Sequence, residues 1–141
     1  MCFPSLFSEQ ADGGKRFVVD YHKVNKWLAP SVLPLPLMEN LLNRLAKCAV
    51  KSKMDLQAGF WQVRLDEGSR HLTSFLLPDQ TVWRWCVLPM GLSVSPGVFQ
   101  HHTSRRVAEF KQQERVQELL RGGAVVEVLM DDFLLGSRTL E

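Results

Sequence analysis

The spacing of apolar and polar positions divides this chain into short strands and a few helices. After Gly13-Gly14, the run Lys15-Arg16-Phe17-Val18-Val19-Asp20-Tyr21 is rich in β-branched and aromatic side chains and reads as a strand with basic flanks. Pro30, Pro34 and Pro36 force an extended connection, because each ring fixes φ and removes a ladder donor. Just beyond them Met38, Leu41, Leu42 and Leu45 recur at i, i+3, i+4 and i+7, which predicts a helix from Leu37 to Lys47. A strand through Ala49 to Leu56 follows, then Gly59 to Leu65, whose tail alternates apolar with polar. Leu72 to Leu77 and Thr81 to Leu88 bracket Pro-Asp-Gln as a hairpin. Ser95-Pro96 reads as an N-cap with proline at the first helical position, opening a helix toward Phe110 whose charged continuation to Arg121 is expected to be exposed. Gly122-Gly123 ends it. Ala124 to Met130 then reads as a strand, Asp131-Asp132 as a turn and Phe133-Leu134-Leu135 as the return strand. The pattern is α+β with antiparallel pairing.

Composition changes this picture little. The 141 residues, 45% hydrophobic and 23% charged, suit one globular domain, or one and a fragment, rather than a disordered or low-complexity chain. Net charge is only +2, yet it is uneven: residues 1–60 carry eight basic and five acidic side chains, residues 61–141 nine and ten. Lys15, Arg16, Lys23 and Lys26 crowd one stretch against Asp20, where a phosphate could be met. Cys2, Cys48 and Cys86 form no CxxC pair, so neither a disulfide framework nor a cysteine zinc site is expected and a reducing compartment is the default. The amino-terminal residues lack a basic region and a long apolar run, and Trp85 to Ser104 is interrupted by Pro89, Gly91, Pro96 and Gly97. The expectation is an intracellular protein with no signal peptide and no membrane partner.

The candidate chemistry lies in carboxylates. Neighbouring residues of a strand face opposite sides, so Asp131 and Asp132 can share a site only at a tight turn, which the flanking apolar strands would supply. Aspartate is also an ordinary turn residue, and that plain reading stays open. Asp55 adds a third acid, ending the strand Lys51-Ser52-Lys53-Met54. Three carboxylates at strand ends form a hard oxygen cluster that is costly unless Mg²⁺ or Mn²⁺ neutralises it, and two such ions could drive a phosphoryl transfer. His22, His71, His101 and His102 complete no triad with a serine or cysteine, and His101-His102 reads as a helix face rather than a zinc site.

Five segments occur in an order that resembles a known family: RFVVDYHKVN (16–25), LPLPLMENLLNRL (33–45), KSKMDLQAGFWQVRL (51–65), TSFLLPDQTVWRWCVLPMGLSVSPGVFQ (73–100) and VLMDDFLLGS (128–137). The chain resembles the fingers and palm of a reverse transcriptase of the long-terminal-repeat retrotransposon type, most similar to the Ty3/gypsy group. The resemblance implies an amino-terminal extension (1–14) followed by one fingers/palm domain (15–141). Its palm would be a ferredoxin-like, split βαβ antiparallel sheet with helices on one face, beside partial fingers.

The resemblance also implies an RNA-directed DNA polymerase: a primer 3′-hydroxyl attacks the α-phosphate of a dNTP, with two Mg²⁺ ions, or Mn²⁺, held by Asp55, Asp131, Asp132 and the Leu56 backbone. The backbone of Gln57, Ala58, Gly59 and Phe60 would cradle the triphosphate. Phe60 matches the aromatic gate against a ribose 2′-hydroxyl, and Arg16, assisted by Lys15, matches the fingers clamp. Met90 and Gly91 would shape the nucleotide pocket, and Ser95, Pro96, Leu129 and Met130 would meet template or primer. The implied partners are an RNA or DNA template with primer, dNTPs and the rest of a Pol polyprotein: thumb, ribonuclease H and integrase.

The chain departs from the family pattern at Leu129, where an aromatic is usual, at Met90, where Phe is common, and at His22, where arginine is usual. It also ends a few residues past the Asp131-Asp132 hairpin, so the thumb is expected to be absent, a sheet edge exposed, and primer-template binding weak and salt-dependent. A catalytically inactive, truncated retroelement remnant that at most binds nucleic acid is the alternative. A metal-dependent nuclease is a third possibility, without an additional acid pair to support it.

Overall fold

The computed structural model describes residues 3–9, 13–29 and 36–138. The chain forms two compact units, Met1–Ser31 with Phe60–Ser95, and Val32–Gly59 with Pro96–Glu141.

The first unit holds strands β1 (Phe3–Glu9), β2 (Lys15–Val19), β4 (Phe75–Leu76) and β5 (Val82–Trp83), with short helices α1 (His22–Asn25) and α3 (Glu67–Arg70). Its sheet runs β2-β1-β4-β5. β1 pairs antiparallel with β2, from Ser5 opposite Val19 to Glu9 opposite Lys15, and parallel with β4 through Phe3 opposite Phe75. Phe3–Glu9, ahead of the fingers/palm domain that the resemblance implies, thus forms a central strand of this sheet. Phe3 is buried against Tyr21, ring centroids 5.3 Å apart, and its pairing partner in β4 lies far downstream, so no local pattern announces it. Phe17, Phe75 and Trp85 extend this aromatic core. Tyr21 is only 1% exposed; its hydroxyl donates to the Thr73 carbonyl at 3.0 Å, and burial pushes its pKa well above the ordinary tyrosine value.

The expected hairpin at 72–88 is present but shorter. Asp66 caps α3 by accepting the Gly68 amide, and His71–Thr73 continue as a 3₁₀ turn, which removes them from the strand. Gly59–Gln62 is likewise a 3₁₀ turn, while the alternating tail pairs with the segment after β5: the Leu65 amide donates to the Cys86 carbonyl and the Leu88 amide to Val63.

The second unit holds α2 (Met38–Ala46), β3 (Val50–Asp55), α4 (Ser95–Lys111), α5 (Glu114–Arg121), β6 (Val125–Leu129) and β7 (Asp132–Ser137). Its antiparallel sheet runs β3-β7-β6. From β3 onward the element order is strand, helices, strand, strand, with the first strand beside the third, which is the opening of a split βαβ sheet. Phe110 of α4 and Val116 of α5 line an apolar hollow with Val126 and Leu135 on one sheet face. On the alternate face Gly136 lies close to Leu45 of α2 and to Cys48 just beyond it: a Cβ there would lie 3.2 Å from Leu45 Cδ2 and 2.5 Å from Cys48 Sγ. The helical run from Ser95 also divides: Gln113 adopts ψ 133°, ending α4 and starting α5, and Val116 is buried rather than solvated.

Candidate functional site

The second unit gathers the three aspartates at one end of its sheet. Asp55, last residue of β3, stands opposite Asp132, first residue of β7, and Asp132 in turn pairs with Leu129 of β6. The loop between β6 and β7 is Met130-Asp131, with Met130 in the left-handed region at φ 55°. The Leu56 amide donates to the Asp131 carbonyl at 2.9 Å, tying the exit of β3 to this loop. A two-residue turn therefore lets consecutive carboxylates share the neighbourhood of a third.

These carboxylates differ in their surroundings. Asp131 Oδ1 is shielded from solvent and accepts no hydrogen bond. Burial first, then the charges of Asp55 and Asp132, push the Asp131 pKa above the ordinary aspartate value. Asp132 is instead held by Lys53, whose Nζ lies 2.8 Å from its Oδ2, with the two side chains 61% and 34% exposed. That hydrogen bond and charge raise the Lys53 pKa, and Asp55 adds to the effect. Among the described residues, no three His, Cys, Asp or Glu side chains converge closely enough to hold an ion as they stand. The donor set nevertheless fits a hard divalent cation: oxygen ligands only, one of them a desolvated carboxylate oxygen without a partner.

Other site positions fall in both units. Gln57 and Ala58 follow β3 as exposed residues, Ala58 with φ 53°, and Gly59 is buried where a Cβ would lie 2.7 Å from Phe99 Cζ. Phe60 lies half-buried in the 3₁₀ turn of the first unit. Met90 and Gly91 form an exposed turn there, Gly91 at φ 94°. Lys15 is exposed at the start of β2; Arg16 pairs through its backbone with Ser8, and its side chain lies outside the described residues. Ser95 is buried and donates its hydroxyl to the Pro89 carbonyl, so it braces the turn before α4 rather than facing solvent. Pro96, the second residue of α4, is half-buried, and Leu129 and Met130 are half-buried at the end of β6. His101 is exposed and His102 half-buried on α4, as expected of a helix face.

Sequence reasoning missed three residues. Lys53 could have been found, since strand periodicity sets it on the same face as Asp55. Asn25 clamps the Met90-Gly91 turn, donating to the Gly91 carbonyl at 2.9 Å and accepting the Ser93 amide at 2.8 Å. Gln100, 2% exposed, accepts the Met130 amide at 2.6 Å. Neither of these two carries a local signal.

The chain is similar to known proteins. A family profile described as reverse transcriptase (RNA-dependent DNA polymerase) matches residues 9–141. The Tf2-3 transposon polyprotein of Schizosaccharomyces pombe is 31% identical over 136 residues, covering 96% of this chain and 9% of that protein. The Tf2-7 polyprotein of the same organism is 33% identical over 113 residues, 80% of this chain and 8% of the relative. The chain thus spans less than a tenth of the length of these curated relatives, which are of Ty3/gypsy type. Among solved structures, the prototype foamy virus protease-reverse transcriptase matches with TM-score 0.74 and 26% identity, over 99% of this chain and 17% of that one. A foamy viral protease-reverse transcriptase in complex with double-stranded DNA matches with TM-score 0.75 and 26% identity, over 99% of this chain and 22% of that one. Among the described residues, no helix is long and apolar enough to cross a membrane. With the profile covering nearly the whole chain, and with curated relatives above 30% identity aligned over most of it, the chain belongs to the reverse transcriptase (RNA-dependent DNA polymerase) family.

Proposed function

We propose that this chain carries the catalytic carboxylates of an RNA-directed DNA polymerase, acting intracellularly within a retrotransposon Pol polyprotein that supplies thumb, ribonuclease H and integrase. The observation that carries the reading is the meeting of Asp55, Asp131 and Asp132 at one strand end, with a desolvated, unpartnered oxygen on Asp131. Asp55 and Asp131, with the Leu56 backbone, would hold Mg²⁺ or Mn²⁺, and Asp132 would contribute less while Lys53 occupies it. Two such ions, when bound, would favour deprotonation of the primer 3′-hydroxyl and offset charge on the reacting phosphate.

The remaining residues bind and orient. Lys15 and Arg16 would meet the triphosphate of the dNTP, Gln57 to Gly59 would offer it backbone groups, and Met90-Gly91 would form a wall of the pocket. Phe60 would exclude a 2′-hydroxyl by contact. Leu129, Met130 and Pro96 would meet the primer or template, and the part of Ser95 would be to brace the turn through Pro89. The foamy viral enzyme in complex with double-stranded DNA supports nucleic acid as the partner, and the Tf2 polyproteins support the setting within a polyprotein.

Primer extension on an RNA template at low salt, with Mg²⁺ and dNTPs, tests the reading with wild type beside Asp131→Asn. Extension lost in the variant supports the carboxylate site, and ribonucleotide incorporation gained by Phe60→Ala supports the gate. No extension by a folded wild type that binds Mn²⁺ would overturn stand-alone catalysis and leave two descriptions, a polymerase fragment that needs its thumb or an inactive remnant that at most binds nucleic acid.

A further inference from the structure

A buried glutamine with every polar atom engaged, next to a turn of the second unit that holds a left-handed residue, is the feature the polymerase reading leaves unused. Gln100 lies on α4. Its Nε2 donates to Ser104 Oγ at 2.9 Å and to the Val128 carbonyl at 3.2 Å, and its Oε1 accepts the Met130 amide at 2.6 Å. Val128 and Met130 flank Leu129, so one carboxamide spans the last residues of β6 and the first loop residue. Met130 holds φ 55°, a conformation that a side chain with a Cβ adopts only when its surroundings over-determine it. Asp131 follows directly. The preceding residue, Phe99, is 1% exposed and fills the space beside Gly59, just past Asp55 and Leu56. Consecutive residues of one helix thus brace both chain segments that carry the carboxylates.

We propose that Gln100 is a positioning residue: by accepting the Met130 amide it holds the left-handed loop and thereby sets where the Asp131 carboxylate stands. The inference rests on the metal-site reading above. Partners that orient a ligand commonly change metal affinity tenfold or more when removed. Methionine at position 100 keeps the length and burial while removing both hydrogen-bonding functions; glutamate keeps an acceptor for Met130 and loses the donor to Val128.

The test compares wild type, Gln100→Met, Gln100→Glu and the control Ser104→Ala by three measurements: Mn²⁺ affinity by calorimetry, hydrogen exchange at the Met130 amide, and global stability in denaturant. Gln100→Met is expected to weaken Mn²⁺ binding about tenfold and to accelerate Met130 exchange beyond any change in global opening. Gln100→Glu is expected to keep Met130 protected although it is the less stable of the two, because it buries a charge. Ser104→Ala should leave both metal affinity and Met130 protection near wild type. Should Gln100→Met fail to fold, Gln100→Asn, too short to reach the Met130 amide, carries the same expectation.

A folded Gln100→Met with wild-type Mn²⁺ affinity would overturn the proposal, as would Met130 exchange that simply follows global stability across the variants. If wild type binds no Mn²⁺, the carboxylate-site reading fails, and Met130 exchange alone decides whether Gln100 holds the loop. If the metal contrast appears without any primer extension, the inference stands and stand-alone catalysis does not.

Discussion

Two hairpin turns in this molecule each contain an aspartate beside a left-handed residue, and the two aspartates are treated oppositely. In the turn between β4 and β5, Gln80 takes φ 65° and Asp79 Oδ1 accepts both the Thr81 amide at 2.9 Å and the Thr81 hydroxyl at 2.6 Å. Those bonds pull the Asp79 pKa below the ordinary value. In the turn between β6 and β7, Met130 takes φ 55°, yet Asp131 Oδ1 has no partner, and desolvation with neighbouring carboxylates pushes its pKa up. The first aspartate satisfies its own turn. The second leaves its turn to be held by Gln100 and keeps an oxygen free in a place that disfavours its charge. Turn aspartates are therefore told apart by who supplies their hydrogen bonds, which is a property of the folded neighbourhood.

The largest test of that contrast is activity. Asp131→Asn is expected to reduce Mg²⁺-dependent primer extension by about 10³-fold or more, whereas Asp79→Asn should leave the rate within about twofold, since its carboxylate only closes an exposed turn. A loss of rate in the Asp79 variant equal to that in the Asp131 variant would erase the distinction.

Glycine at the left-handed positions sharpens it further. Gln80→Gly should raise stability slightly by removing strain. Met130→Gly relieves the same strain but loosens the loop that carries Asp131, so extension should fall about tenfold while melting temperature holds or rises. Equal activity in wild type and Met130→Gly would show that the strained loop is not needed to place the carboxylate.

Stability against pH gives opposite signs for the two aspartates. The folded pKa of Asp79 is lowered, so its stabilisation is present above its unfolded pKa and lost as pH falls through the folded one. The folded pKa of Asp131 is raised, so its contribution is present below its unfolded pKa and lost as pH rises through the folded one. Without metal, Asp131→Asn should therefore melt a few degrees higher than wild type at neutral pH, with the gap closing in acid below the ordinary aspartate pKa. Melting curves across that range check it, and a variant less stable than wild type at neutral pH would contradict the desolvation assignment.

The smallest effect concerns Lys53, which holds Asp132 in a partly exposed ion pair. Lys53→Met should tighten Mn²⁺ binding about twofold to fivefold, a range set by the modest strength of exposed pairs. No change, or weaker binding, would mean that Asp132 has no share in the cation site even when released.

Much of this was legible before the fold was known. The i, i+3, i+4, i+7 spacing of Met38, Leu41, Leu42 and Leu45 predicted α2 to within a residue at each end. The apolar runs around Asp131-Asp132 predicted the hairpin, because period-2 burial and a two-residue turn are local properties. The same logic failed wherever the determining partner was remote. Phe3 and Pro4 of β1 pair with β4 far downstream, although the rest of β1 pairs with the neighbouring β2, and Gln113 breaks one helix into two without a proline or glycine to mark the place. At the site, the three aspartates were nameable from the chain. Lys53 was within reach of strand periodicity, which sets it on the face of Asp55, but Gln100 on Met130 and Asn25 on Gly91 were not, because each hydrogen bond joins segments that the pattern treats separately.

The amino-acid sequence alone determined the kinds of element, their order and the chemistry on offer: antiparallel strands ending in acids, helices between them, and five segments in the order of one polymerase family. Periodicity and turn chemistry act over a few residues, so they survive in one dimension. Tertiary structure alone decided which carboxylate is desolvated, which is neutralised by a lysine and which residue holds the loop. Burial and hydrogen-bond satisfaction depend on what packs against a group: Asp131 meets the end of β3, where Asp55 adds its charge and the Leu56 amide donates to the Asp131 carbonyl, and the preceding Met130 is held by Gln100 of α4, all from other parts of the chain.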